Sequence, residues 1–273
     1  MELRDGGIMK GWTDLKKFAQ NGAFQGDGLL VGCDFDGTIV PFTRRPSQVK
    51  IPQKMRRVLS RLIKKPGVRV VIISGRSLAD VKKKLGLKGA IYCGNHGLEM
   101  ERGLSVWIHP EARAISRRLK ILSAEIQSGI SDLKGAELED KTLSLSLHYR
   151  RVSRASDIAR LKRLLNCWMS PHRRYLRVVS GKKLFDIRPK LDWNKGHALL
   201  NLIESLPGSW SACFVGDDKT DEEAFETLGG RALTVRVGPA LKSKARFLLK
   251  NRGYVHSFLE LIAGKKYEKI NQP

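Results

Sequence analysis

The sequence predicts an α/β fold: a doubly wound parallel sheet with a second, α+β domain inserted into it. Three observations carry this. Apolar, strand-like runs at 29–35, 68–73, 90–93, 211–215 and 232–237 alternate with segments of helical period. The run Val68–Ile73 is apolar and β-branched apart from one arginine, as suits a strand covered on both faces. Between about 100 and 188 the texture changes to helices and an alternating strand. The expected organisation is a core of 1–99 and 189–273 around an inserted domain of 100–188.

Taken in order, residues 1–27 read as an amphipathic helix around Trp12, Leu15 and Phe18, then a glycine-containing loop. The first strand is 29–35. Pro46 and Pro52 bracket a loop, and Met55, Val58, Leu59, Leu62 and Ile63 recur at helical spacing until Pro66-Gly67. The second strand, 68–73, ends in Ser74-Gly75-Arg76. A helix over 78–85 leads to the third strand, 90–93, giving β-α-β-α-β and a parallel sheet.

In the inserted region, 104–108 reads as a strand, and Ile115, Leu119, Leu122 and Ile126 mark a helix. Residues 142–149 alternate, with Leu143, Leu145 and Leu147 against Ser144, Ser146 and His148, which predicts a half-exposed antiparallel strand. Ile158, Leu161, Leu164, Leu165 and Trp168 mark a second helix, and 175–179 with 183–188 form a hairpin around Ser180-Gly181. The core resumes at Lys195, which opens a helix. A fourth strand at 211–215 runs into Gly216-Asp217-Asp218-Lys219-Thr220-Asp221-Glu222, a helix covers 222–228, a fifth strand follows, and a helix closes the chain after Tyr254.

Composition narrows the function. No apolar run approaches the roughly 18 residues that cross a bilayer, and the start, MELRDGGIMKGWTDLKK, lacks a leader-like apolar stretch. A cytoplasmic protein without membrane partners is expected, and a monomer. Cys33, Cys93 and Cys213 sit in apolar runs and read as buried free thiols. The net charge is +24, of which 101–188 carry +10 through 19 Lys/Arg and 9 Asp/Glu. Charge spread this evenly, with no basic tail or block, argues against specific nucleic-acid binding as the main function. It suits a field that attracts an anionic small molecule.

The chemistry concentrates at three strand ends: Asp34-Phe35-Asp36-Gly37-Thr38, Ser74-Gly75-Arg76 and the Asp217–Glu222 acids. Strand period places Asp34 and Asp36 on one face, where like charges repel unless something requires them. Open α/β sheets bind ligands beyond the carboxyl ends of their strands, at the switch point, which is the first strand if the order is 3-2-1-4-5. Gathered there, the acids need a hard divalent cation with oxygen ligands, for which Mg²⁺ is the expected cofactor.

The DxDGT string resembles motif I of the haloacid dehalogenase superfamily of phosphotransferases. That likeness implies Asp34 as nucleophile and Asp36 as general acid/base, with Asp36 reaching the metal through its backbone carbonyl. Ser74 and Lys195 match the second and third motifs, as donors to the phosphoryl oxygens. Asp34, Asp36, Asp217, Asp218 and Asp221 make up the implied metal set. The strings LLVGCDFDGTIVPF, VVIISGR, GNHGLE, HYR, IRPKLDWNKG and FVGDDKTDEEAF, over about 29–228, further resemble the trehalose-6-phosphate phosphatase family.

This resemblance implies a haloacid dehalogenase-like core with a cap, and sugar contacts from Arg76, Asn95, His96, Glu99, Lys141, His148, Arg150 and Asp186. Asp186 stands where the family commonly has Glu, one methylene longer. The expected activity is Mg²⁺-dependent hydrolysis of trehalose 6-phosphate to trehalose and phosphate through an aspartyl-phosphate. The alternatives are another sugar phosphate, such as sucrose phosphate or a glucosylglycerol or glycerate phosphate, and, from another class, a basic nucleic-acid-binding protein.

Overall fold

The computed structural model describes residues 10–22, 24–43, 48–181, 183–239 and 242–264. The loop residue Pro46 and the ends of the expected first and last helices lie outside the described residues. The chain divides into two compact units: residues up to Val106 together with those from Trp193 onward, and Trp107–Asp192 between them. The sequence places these limits a few residues earlier, after 99 and after 188.

The first unit begins with α1 (Trp12–Gln20), β1 (Gly28–Asp34), α2 (Gln53–Lys64), β2 (Val68–Ile73), α3 (Leu78–Leu85), β3 (Ile91–Gly94) and β4 (Glu99–Arg102), and the chain leaves it within β5 (Ser105–Ile108). The second unit holds α4 (Pro110–Gly129), β6 (Glu137–Asp140), β7 (Leu145–His148), α5 (Ala155–Met169), β8 (Leu176–Gly181) and β9 (Leu184–Pro189). The chain then returns through α6 (Lys195–Glu204), β10 (Trp210–Gly216), α7 (Lys219–Leu228), β11 (Leu233–Val237), β12 (Phe247–Leu249) and α8 (Arg252–Gly264).

The larger sheet has the order β12-β11-β10-β1-β2-β3-β4-β5. From β12 to β3 all neighbours are parallel, and β4 runs antiparallel to β3. The five strands read from the sequence take the order 3-2-1-4-5, with β1 at the switch point between β2 and β10. Every residue of β1 is buried, as are five of the six in β2, because helices lie on both faces of the sheet. Leu29, Val31, Cys33 and Phe35 pack with Val58, Leu59, Leu62 and Val81 from the helices. Local chemistry sets the ends: the Ser77 hydroxyl accepts the Asp80 amide at the start of α3, and Gly86, left-handed at φ +57°, closes it.

The inserted unit has an antiparallel sheet, β6-β7-β9-β8, packed with α4 and α5 around Leu119, Leu122, Leu145, Leu147, Leu161 and Ile187. One expectation is corrected here. The alternating segment forms a strand only over Leu145–His148, and its polar side is not a solvated face: Ser144 and Ser146 are buried. Ser146 donates its hydroxyl to Asp186 on the neighbouring β9, so polar bonding within the sheet replaces water. Three strands go unread in the sequence. β4 follows directly on the 95–99 loop, β6 has three acids in four residues, and β12 is three residues long; all three exist because a neighbouring strand pairs with them.

Candidate active site

Strand register brings the three motifs together. Asp34 lies beside Ile73, one residue before Ser74, while its neighbour Cys33 pairs with Val215, two residues before Asp217. Beyond Asp34 the chain turns at Gly37, where φ is +90°. A Cβ there would lie 2.2 Å from Asp217 Oδ2, so glycine is required by both backbone and space. Thr38, fully buried, donates its hydroxyl to Asp217 Oδ1 at 2.8 Å and ties the two loops together.

Lys195, the first residue of α6, is buried at 2% exposure and donates to Asp34 Oδ1 at 2.6 Å and Asp221 Oδ1 at 2.8 Å. Asn194 caps the helix that carries it, accepting the amides of Gly196 and His197. The other oxygen of Asp34, Oδ2, is buried without a partner. Ligand oxygens of Asp34, Asp217 and Asp221 all lie within 4.8 Å of one another.

Three carboxylates thus share one lysine, and the protonation energetics show it. Burial, opposed by Lys195 and reinforced by Asp221 and Asp217, pushes Asp34 well above the usual carboxylate range. Burial also raises Asp217, and raises Asp221 to about 7 against the pull of Lys195. Burial alone would lower Lys195; the charges of Asp221 and Asp34 hold it well above its ordinary value. Asp218 moves the other way: burial would raise it, but the charge of Lys195 and the Thr220 hydroxyl hold it below the usual range. A surplus of buried carboxylate and one unpartnered oxygen fit a hard divalent cation.

The acids are not equivalent. Asp218 and Asp221 form the capping box of α7: Asp218 Oδ1 accepts the Asp221 amide, and Asp221 Oδ2 accepts the amides of Asp217 and Asp218. Arg236 on β11 holds the same turn through the Asp218 carbonyl at 2.8 Å. Asp36 lies outside the three-carboxylate group, and both its oxygens accept from Arg76, at 2.5 and 2.7 Å. Of the five acids read from the sequence as a metal set, Asp34 and Asp217 have the oxygens least committed to the protein.

Ser74 is buried beside them, and its hydroxyl accepts the Arg76 amide at 3.2 Å. The carbonyls of Ser74 and Arg76 receive the amides of His96 and Asn95. Asn95 and His96 both sit at positive φ, +48° and +58°, which costs of order 1–3 kcal/mol each and persists only where surroundings dictate it. Glu99 helps dictate it: its Oε1 accepts Asn95 Nδ2 at 2.6 Å and the Leu78 amide at 2.8 Å. Trp193 holds the Gly97 carbonyl at 3.0 Å. Glu99, read as a sugar contact, thus has a holding role in this loop, and Trp193, Arg236 and Asp80 are supports the sequence reading did not single out.

The remaining candidates lie in the inserted unit. Asp186 is buried; its Oδ1 accepts the Ser146 hydroxyl at 2.6 Å, its Oδ2 accepts Arg188 Nε, and Lys141 Nζ is 3.7 Å away. His148 Nε2 is 3.1 Å from Glu139, and Arg150 is exposed at the end of β7.

A six-stranded parallel core with acids at the β1 and β10 ends defines a haloacid dehalogenase-type fold, and solved structures share it. The chain resembles a haloacid dehalogenase-like hydrolase from Bacteroides thetaiotaomicron, with TM-score 0.58 and 15% identity over 86% of this chain and 99% of that one. It resembles the C-terminal domain of trehalose-6-phosphate phosphatase from Candida albicans more closely, with TM-score 0.74 and 23% identity over 96% of this chain and all of that one.

A sequence profile of the trehalose-phosphatase family matches residues 33–246, and the chain belongs to that family. A trehalose-phosphate phosphatase of Mycobacterium tuberculosis is 31% identical over 223 residues, 77% of this chain and 55% of that protein. The chain therefore spans about half the length of the curated relatives it matches. Among the described residues no helix is long and apolar enough to cross a membrane.

Proposed function

We propose that this protein is a Mg²⁺-dependent phosphatase that hydrolyses trehalose 6-phosphate to trehalose and phosphate. One observation carries the reading: at the end of the central strand Asp34 has one oxygen fixed by a buried lysine and the other buried without a partner. A carboxylate held this way is a nucleophile set in place before its target arrives.

Asp34 and Asp217 would hold the cation, with the backbone carbonyl of Asp36. Bound there, Mg²⁺ supplies charge neutralisation between the phosphate and the attacking carboxylate. An oxygen of Asp34 attacks phosphorus, the bond from phosphorus to the sugar oxygen breaks, and the leaving oxygen takes the proton of Asp36. Asp36 then takes a proton from water; the water oxygen attacks the same phosphorus, the bond to Asp34 breaks, and inorganic phosphate leaves. Ser74 and Lys195 donate to the phosphoryl oxygens as their charge grows. We assign selection of the sugar to the 95–99 loop and to the inserted unit as a cap, through Lys141, His148, Arg150 and Asp186.

A phosphate-release assay with Mg²⁺ over a panel of sugar phosphates tests the reading. Trehalose 6-phosphate is expected to have the highest kcat/KM. Preference for a monosaccharide phosphate, sucrose phosphate or a glucosylglycerate phosphate would reassign the substrate.

A further inference from the structure

Resting on the phosphatase reading above, we propose that Arg76 is a positioning residue for Asp36, and that Asp80 anchors it in that role. The family resemblance implies a sugar contact for Arg76; its geometry points elsewhere. Nε and Nη2 grip the two oxygens of Asp36 in a parallel fork at 2.5 and 2.7 Å, the arrangement that fixes both position and orientation of a carboxylate.

The guanidinium is itself fixed. Nη1 donates to Asp80 Oδ2 at 2.7 Å, on the first turn of α3, and Cζ lies 5.5 Å from the centre of the Phe35 ring. Its backbone is held too, with the amide on the Ser74 hydroxyl and the carbonyl on the Asn95 amide. The side chain is only 12% exposed.

Asp36 follows β1 on a turn, and its carboxylate has no helix or strand of its own to orient it. Arg76 supplies that frame from the end of the neighbouring strand, and each Asp36 oxygen keeps a further lone pair for the proton it exchanges. The fork orders the group that moves protons in both chemical steps, while Asp34, held by Lys195, is ordered independently.

The separation of these two supports makes the role testable. An aryl phosphate such as 4-nitrophenyl phosphate loses a leaving group that needs no proton, so only hydrolysis of the aspartyl-phosphate then calls on Asp36. In the full chain with excess Mg²⁺, Arg76→Ala is expected to lower kcat on trehalose 6-phosphate by about 10²-fold, the span of one general acid–base group, with KM within about threefold. On the aryl phosphate the same variant is expected to release one equivalent of nitrophenolate at the wild-type rate and then turn over slowly.

Arg76→Lys keeps the charge without the fork and is expected to show the same pattern, as is Asp80→Asn with a smaller loss; these carry the test if Arg76→Ala does not fold. A raised KM with kcat retained would make Arg76 a substrate contact. An equally slowed burst would make it a structural support, and an unchanged kcat would make it neither. Any of these overturns the proposal. Wild-type protein inactive on every phosphate ester would instead remove the phosphatase reading itself.

Discussion

Two buried polar clusters, one in each unit, are built from the same residue types and balanced in opposite ways. At the end of β1, Asp34, Asp217 and Asp221 surround Lys195, and Asp34 Oδ2 is left without a partner. In the inserted sheet, Asp186 stands alone among Ser146, Arg188 and Lys141, and both of its oxygens are engaged. The first cluster has more negative charge than the protein supplies positive charge for; the second is matched within its own sheet. A buried charge deficit is costly unless something arrives to complete it. On the reading proposed above, the first cluster receives a cation and a phosphoryl group, while the second is already held by its own pairs before any sugar arrives. Three predictions test that contrast.

The largest effect is expected at Asp34. Asp34→Asn keeps size and burial but removes the nucleophilic charge, and phosphate release is expected to fall by at least ~10³-fold. Thermal stability should be kept or improved, because one of three crowded charges is gone. Turnover near the wild-type rate would show that the unpartnered oxygen is not the attacking atom. A large drop in melting temperature would show that the cluster is balanced after all.

Next in size is removal of the cation. Chelation is expected to abolish activity and to expose the charge imbalance as a pH effect. The three carboxylates titrate higher in the folded protein than in the unfolded chain, Asp221 at about 7 against roughly 4 when free. Without metal the folded state binds more protons across that window, so its stability is full below the lower value and is lost as pH rises through the upper one. A cation that binds the deprotonated cluster reverses this. The melting temperature gained on adding Mg²⁺ is therefore expected to be larger at pH 8 than at pH 5. An equal gain at both would show that the cluster does not exchange protons for metal.

The contrast also marks how far sequence alone reaches. The convergence of Asp34, Ser74 and Asp217 is legible because it depends only on strand period, strand ends and a parallel order. Lys195 is legible by motif, although nothing in its neighbourhood foretells that a lysine at a helix start will be 2% exposed. What a side chain does after the backbone has delivered it is not legible. Arg76 turns to Asp36, Glu99 to the Leu78 amide and the Asn95 side chain, and Asp218 with Asp221 to the capping box, and each choice depends on rotamers and on the partners that packing brings near. The alternation of 142–149 misleads for the same reason: it distinguishes polar from apolar sides, and cannot tell a wet polar side from one closed by Asp186.

The smallest expected effect belongs to that closed side. Ser146→Ala removes the hydroxyl that donates to Oδ1 of Asp186, a carboxylate only 4% exposed. Losing one partner of a buried hydrogen bond costs about 1–3 kcal/mol, which lowers the melting temperature by several degrees in a protein of this size. If the inserted cluster is structural and self-contained, kcat should stay within about threefold, because the reacting groups lie on the other sheet. A fall in kcat with no change in melting temperature would break the contrast, since it would give Asp186 a reactive task that its matched surroundings do not suggest. A fall in melting temperature alone would sharpen it: similar residues buried in two sheets, one set arranged to be completed by a ligand and the other already complete.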